Sequence, residues 1–289
     1  MRLLFSLMLA FLLGAGLMLA VAGYRPSAQV LPVGQSVLDF ATDRGSSLRA
    51  LVISPPTATG DPRARQAVIL LAGGHGNLGI GRDGSLRSGS NNQLVRTRSD
   101  YARRGLVTIV PDAADDFKVG EGTFVPYRWS EAHARDLASL VAFARQHASR
   151  VYVIGTSRAA FSVLAQASRP ELMPRPDAFV VTSGMLLHDV ADQPEVTREI
   201  KGLERIREPV LLVVHGADRC AYTPPARIEA FRAQLKGARV VDIVRFEGPA
   251  PASDDECGAL SAHGFLGLDA EVVTAIVDWL GRVGGPAKP

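Results

Sequence analysis

Residues 151–160 read Val-Tyr-Val-Ile-Gly-Thr-Ser-Arg-Ala-Ala. Val151 to Ile154 form a short apolar run of β character that passes through Gly155 to Ser157, and an Ala-rich stretch of helical character follows over residues 157–167. A buried strand that turns directly into a helix through Gly-x-Ser-x-Ala holds the serine on a tight turn at the carboxyl edge of a sheet. The small residues two before and two after it, Gly155 and Ala159, let neighbouring backbone approach closely. A helix beginning there aims its positive end at charge that develops beside the serine hydroxyl. Taken alone, the pattern also fits a serine capping a surface helix; the strand before it and the helix after it favour the turn.

Outward from this segment the alternation continues. Short runs rich in Val, Ile and Leu fall at residues 67–72, 106–110, 178–182, 210–214 and 240–244, each too short for a helix. Residues 92–103, 130–146, 157–167, 224–235 and 269–283 carry amphipathic or Ala-rich helical patterning, and Ser130 followed by Glu131 and His133 marks a helix start. This rhythm predicts an α/β fold, a mostly parallel sheet with helices on both faces. Two earlier extended pieces, 37–41 and 48–53, flank the turn-forming Asp43-Arg44-Gly45 and read as an opening hairpin. No linker, repeat or low-complexity stretch interrupts residues 23–289, which are read as one domain with a frayed tail at 284–289.

With 289 residues, 47% of them hydrophobic, the chain can bury one large core. The charged fraction is 21% and the net charge +3, and the sequence pI near 9.1 reflects scattered Arg and no basic patch, so nucleic acid is not an expected partner. Residues 1–22 differ from the rest: Arg2 precedes an apolar or Gly run from Leu3 to Ala20, and Ala20-Val21-Ala22 has the small-x-small form that signal peptidase reads. A signal peptide cleaved after Ala22 is expected. Left uncleaved, the run is just long enough to anchor the chain in a bilayer. Either outcome exports residues 23–289, to the periplasm or beyond. Cys220 and Cys257 are the only cysteines, and in an oxidising compartment a disulfide is the expected state. A zinc set made of these two with His215 and His263 lacks the close ligand pairing of structural zinc sites, so neither metal nor cofactor is expected.

Residues 68–77, Val-Ile-Leu-Leu-Ala-Gly-Gly-His-Gly-Asn, are a strand that ends in a Gly-rich loop, and no Gly-Lys-Ser/Thr follows to make it a phosphate cradle. Residues 210–220, Val-Leu-Leu-Val-Val-His-Gly-Ala-Asp-Arg-Cys, set Asp218 just beyond the penultimate strand, and Ser-Ala-His-Gly-Phe at 261–265 sets His263 before the last helix. Over residues 37–283 the chain resembles the α/β-hydrolases, and the turn at Ser157 resembles their nucleophile elbow. Ala159 stands where that elbow usually has Gly, and Ala still clears the turn. More narrowly, Gly-Gly-His-Gly at 73–76, Gly-Thr-Ser-Arg at 155–158 and Cys-Gly-Ala-Leu-Ser-Ala-His-Gly-Phe at 257–265 resemble a group of exported bacterial serine hydrolases. That resemblance implies a bacterial source and gives no substrate.

The resemblance also implies roles. Ser157 is the expected nucleophile, Asp218 the orienting acid and His263 the general base, in the chain order Ser, Asp, His. Backbone N–H groups near Gly74 and His75, with that of Arg158, are expected to form an oxyanion hole, and Gly76 and Asn77 are alternatives in the same loop. Asp254 and Asp255 are rival acids. His215 is less apt as the base, being at a strand end; His133, His147 and His188 read as ordinary core or solvated residues, and His75 is a candidate for lining the pocket. Carboxylic-ester hydrolysis on a small-molecule ester is the expected chemistry. A peptidase, thioesterase or acyltransferase would keep the same triad, and a non-catalytic binding module would need a broken one. Residues 185–208 are too few for a large lid domain, so an open pocket is expected, rimmed by residues 79–92, without a wide apolar run for long acyl chains. Arg158, Arg96 and Arg98 are candidates for favouring an acidic substrate. In the resembled fold the Asp218 and His263 loops emerge at one sheet edge. The Cα atoms of Cys220 and Cys257 are then expected within the roughly 4.4–6.8 Å that a disulfide requires.

Overall fold

The structure, a computed structural model, describes residues 34–56, 65–117, 125–248 and 253–284; the expected leader lies outside them. The apolar runs pair into one eight-stranded sheet. Its strands are β1 Gly34–Ala41, β2 Ser47–Ser54, β3 Gln66–Leu71, β4 Leu106–Pro111, β5 Arg150–Thr156, β6 Ala178–Thr182, β7 Val210–His215 and β8 Val241–Phe246. They lie in the order β1-β2-β4-β3-β5-β6-β7-β8. The hairpin β1–β2 and the β2–β4 pair are antiparallel, and every pair from β4 to β8 is parallel. Strands β4, β6 and β7 are buried along their whole length, which is why their sequences show no polar alternation.

The helices are α1 Gln93–Arg96, α2 Arg98–Arg103, α3 Val125–Arg128, α4 Glu131–Ala144, α5 Ala160–Ala167, α6 Val196–Glu199, α7 Ile228–Arg232 and α8 Asp269–Val283. They cover both faces of the sheet. Residues of α4, α5 and α7 pack on one side with Val153, Phe179 and Leu212, and residues of α2 and α8 pack on the other with Tyr152, Val180 and Leu211. Ser130 caps α4 as its sequence indicates, accepting from the His133 amide at 3.1 Å. The single helix expected over 92–103 is instead two. The break falls at Thr97, whose hydroxyl bonds back to the Gln93 carbonyl at 2.7 Å while its backbone leaves helical geometry at φ −92°, ψ 3°. Residues 157–159 and 225–227 form 3-10 turns ahead of α5 and α7, so both of those helices are shorter than their patterns suggest. Between β6 and β7 only α6 and a 3-10 turn at Leu203–Arg205 intervene, and no lid domain is present there.

One topological feature locates the site. The chain leaves β3 toward β4 on one side, then returns past β3 to lay β5 on its other side. The loops after β3 and β5 therefore diverge, and the carboxyl ends of these strands open a crevice. Near one wall of it the Asp112 carboxylate, one residue beyond β4, accepts backbone N–H bonds from Leu78 (2.7 Å), Gly79 (3.3 Å), Ile80 (3.0 Å) and Ala113 (2.9 Å), and so fixes the start of the rim loop.

Candidate active site

Ser157 follows the last residue of β5 with φ at 54°, a left-handed conformation rare for a residue with a side chain. Two close approaches explain its small neighbours. A Cβ on Gly155 would lie 2.9 Å from the Ala159 carbonyl oxygen, and one on Gly73 would lie 3.0 Å from the Thr156 carbonyl oxygen and 3.1 Å from the Ser157 Cβ. The elbow and the loop after β3 are thus in contact because both are stripped of side chains where they meet. The Ser157 carbonyl accepts from the Met185 amide at 3.2 Å, which ties the elbow to the loop after β6.

Asp218 and His263, the expected acid and base, come from loops after β7 and before α8. His263 Nδ1 and Asp218 Oδ2 are 3.0 Å apart, both residues being buried. The other Asp218 oxygen accepts from the Cys220 amide at 2.9 Å. Thr223 completes the arrangement: its hydroxyl donates to Asp218 Oδ2 at 2.9 Å and lies 3.1 Å from His263 Nδ1. His263 is held from behind as well, its amide donating to the Ser261 hydroxyl at 3.1 Å. The rival acids Asp254 and Asp255 are exposed, and His263 takes neither as its partner. His215 ends β7 with Nδ1 accepting from the Ala217 amide at 3.0 Å.

Ser157 and His263 line the same cavity, of about 290 Å³, together with Gly73, Gly74, His75 and Gly76 of the loop after β3. In that loop the Gly76 amide donates to the Gly73 carbonyl (3.2 Å) and the Asn77 amide to His75 Nδ1 (3.1 Å). The amides of these two alternatives for an oxyanion donor are therefore already engaged within the loop, while Gly74, at φ 60°, and His75 line the cavity between Gly73 and Gly76.

The loop rests on Arg128, a residue the sequence did not single out. This buried guanidinium donates through Nη2 to the carbonyls of Ala72 (2.8 Å) and Gly74 (3.2 Å), and through Nη1 to Ser162 Oγ (3.0 Å). Ser162 in turn meets His133 Nε2 at 2.8 Å. Burial and the neighbouring Arg158 push the Arg128 guanidinium down to about 9, so it remains cationic at neutral pH. Burial, with Arg128 and Arg44 nearby, pushes the His133 imidazole down to about 3. His133 thus belongs to the support of the loop, as the core residue that its sequence allowed. Neither Arg128 nor Thr223 sits in a motif that sequence reading could have found.

Two of the three arginines proposed to favour an acidic substrate, Arg96 and Arg98, are otherwise employed. Arg96 spends its donors on Asp269 (2.8 Å) and on the carbonyls of Asn91 (2.6 Å), Ala259 (3.0 Å) and Gly264 (2.6 Å), stapling the rim loop to the histidine loop. Arg98 donates to the Val95 carbonyl (2.6 Å), and neither it, Arg96 nor Arg158 lines the cavity. Cys220 and Cys257 form a disulfide with Cα atoms 4.6 Å apart, inside the expected range, and Cys257 contributes to the cavity wall.

No family model and no curated protein matches the chain. Solved structures do. The esterase Pf2001 of Pyrococcus furiosus superposes with a TM-score of 0.57 at 16% identity, over 86% of this chain and 93% of that one. Esterase 2 of Thermogutta terrifontis, in a propionate-bound form, superposes with a TM-score of 0.60 at 18% identity, over 92% of this chain and 99% of that one. The native form of the same esterase gives 0.58 at 20% identity, over 88% and 94%, and a further form of it is phosphorylated by paraoxon. At these identities the likeness establishes the fold, that of the α/β-hydrolases.

Proposed function

From the α/β-hydrolase fold we infer that this chain is a serine hydrolase that cleaves a carboxylic ester of a small molecule, with Ser157, His263 and Asp218 as its triad. The observation that carries the reading is the buried Asp218–His263 hydrogen bond of 3.0 Å, opening on the cavity that Ser157 also lines. His263 Nε2 accepts the Ser157 proton as Oγ attacks the ester carbonyl carbon. The oxyanion forms against the amides of Gly74 or His75 and of Arg158. As the tetrahedral species collapses, the bond to the alcohol oxygen breaks and His263 returns its proton to that oxygen. Water then attacks the acyl-enzyme carbonyl as it gives a proton to His263, the bond from the acyl carbon to Ser157 Oγ breaks, and His263 returns the proton to Oγ as the acid leaves. Asp218 holds the imidazole in the tautomer with hydrogen on Nδ1 and stabilises its cation.

Among the described residues the Ser157 hydroxyl makes no hydrogen bond to His263; such contacts tighten when substrate is bound. Peptidase, thioesterase and acyltransferase chemistry would use the same groups, and the esterases among the structural neighbours favour the ester. The domain, residues 23–289, is proposed to act in the periplasm or outside the cell after loss of residues 1–22. The disulfide agrees with an oxidising compartment, and no described helix is long and apolar enough to cross a membrane.

The test is labelling by a fluorophosphonate probe together with Ser157→Ala. We expect labelling of the parent, none of the variant, and loss of ester turnover by a factor of roughly 10⁴ or more, because triad members act as a unit, with an unchanged melting midpoint. Retained turnover in a folded Ser157→Ala protein refutes covalent serine catalysis.

A further inference from the structure

One wall of the cavity is made by the rim loop and the start of α1, and its side chains are polar. Gly89, Ser90, Asn91, Asn92 and Gln93 line the cavity there. Gln93 is 1% exposed, and neither its Oε1 nor its Nε2 has a hydrogen-bonding partner; the Oδ1 of Asn92 is likewise buried and unpartnered. Leaving a buried donor or acceptor unmade costs about 1–3 kcal/mol, so three such atoms, closed off from the cavity but carried by two residues that line it, point to a ligand toward which these amides turn to be satisfied. A primary amide offers a donor and an acceptor side by side, which matches hydroxyl groups, each of which both donates and accepts.

The rest of the cavity narrows the choice. No Asp, Glu, Lys or Arg is among the described residues that line it, so no fixed charge favours an ionic substrate. Among the described residues of the wall Leu78 is the only aliphatic side chain larger than Ala, and at about 290 Å³ the space lies at the lower end of ligand sites, which run from about 300 Å³ upward. A long acyl chain would find only Leu78 and the alanines as apolar side chains among the described residues of this wall. Resting on the serine-hydrolase reading above, we propose that the substrate is a short-chain acyl ester of a neutral, hydroxylated alcohol, a polyol or sugar, with Gln93 and Asn92 hydrogen-bonding its hydroxyl groups. A site built to hydrogen-bond a hydroxyl discriminates strongly against the analogue that lacks it, because its own polar groups are then buried unpaired.

Matched pairs of acetates test this on the full chain freed of its leader: glycerol 1-acetate against n-propyl acetate, and methyl glucoside 6-acetate against cyclohexylmethyl acetate. The hydroxylated member is expected to have a kcat/KM at least tenfold higher in one pair or both. Gln93→Met, close in size but without the amide, should lower that ratio about tenfold. Asn92→Ala should lower it too, and provides the reading if the first variant does not fold. A parent ratio near one, or a ratio that both variants leave unchanged, overturns the inference, as does faster turnover of p-nitrophenyl decanoate than of p-nitrophenyl acetate. Fluorophosphonate labelling separates the two levels. A labelled protein without hydroxyl preference sinks only the substrate class, whereas a protein neither labelled nor active on any ester sinks the serine-hydrolase reading and this inference together.

Discussion

Ser157 holds a backbone angle of φ 54°, and residues with side chains persist there only where their surroundings over-determine them. Those surroundings are local, Gly155 and Ala159, together with one partner from the loop after β3, Gly73. Thr223 presents the opposite case, since nothing near it in sequence advertises its contact with both Asp218 and His263. Replacing it by Val keeps the shape and removes the hydroxyl. Thr223→Val is expected to lower kcat about tenfold with little change in KM, and Thr223→Ser to restore most of it; a change confined to KM or to the melting midpoint would mean that Thr223 does not position the pair. His133 sets a pH dependence. The unfolded chain takes up a proton at this residue near its ordinary value of about 6.5, while the folded chain resists until about 3. The unfolded state therefore binds more protons between those values, and stability falls as pH drops from about 6.5 toward 3, with no contribution from this group above that window. Urea midpoints at pH 7 and pH 4 should differ less in His133→Gln than in the parent, and equal differences would exclude the residue as a source of the acid sensitivity.

At the scale of elements, the site is a meeting of loops, and each loop has its own anchor. Asp112 gathers the amides of Leu78, Gly79 and Ile80. Arg128 grips the carbonyls of Ala72 and Gly74. Arg96 joins Asn91 to Ala259 and Gly264. The disulfide joins the acid loop to the segment leading to His263, closing a sequence separation of 37 residues. Such closure typically stabilises by about 2–4 kcal/mol, and here the Cys220 amide also donates to Asp218. Titration with a reductant should therefore lower ester turnover before the circular dichroism of the core changes. Activity and core signal lost together would show the bond to be a brace for the whole fold instead.

For the molecule as a whole, the outstanding expectation concerns the leader. Protein recovered from an exporting bacterial host should begin at Gly23, read by N-terminal sequencing; a start at Met1 with the protein held in the membrane fraction would replace the cleaved signal by an anchor. Strand and helix order were legible because a parallel strand buried on both faces must be an unbroken apolar run, as Val210–His215 is. The elbow was legible because its geometry depends on residues adjacent to Ser157. The cysteine partners were legible because there are only two. Other features were open until distant segments were placed together. That His263 meets Asp218 and not Asp254 or Asp255, that Arg128 reaches a carbonyl 56 residues away, and that Arg96 is consumed by one 168 residues away are outcomes of long-range packing. A hydrogen bond across such separations leaves no periodicity or spacing in the chain. Sequence alone thus determined the sheet and the turn at Ser157, while tertiary structure decided which carboxylate meets His263, the supports of the loops and the lining of the cavity.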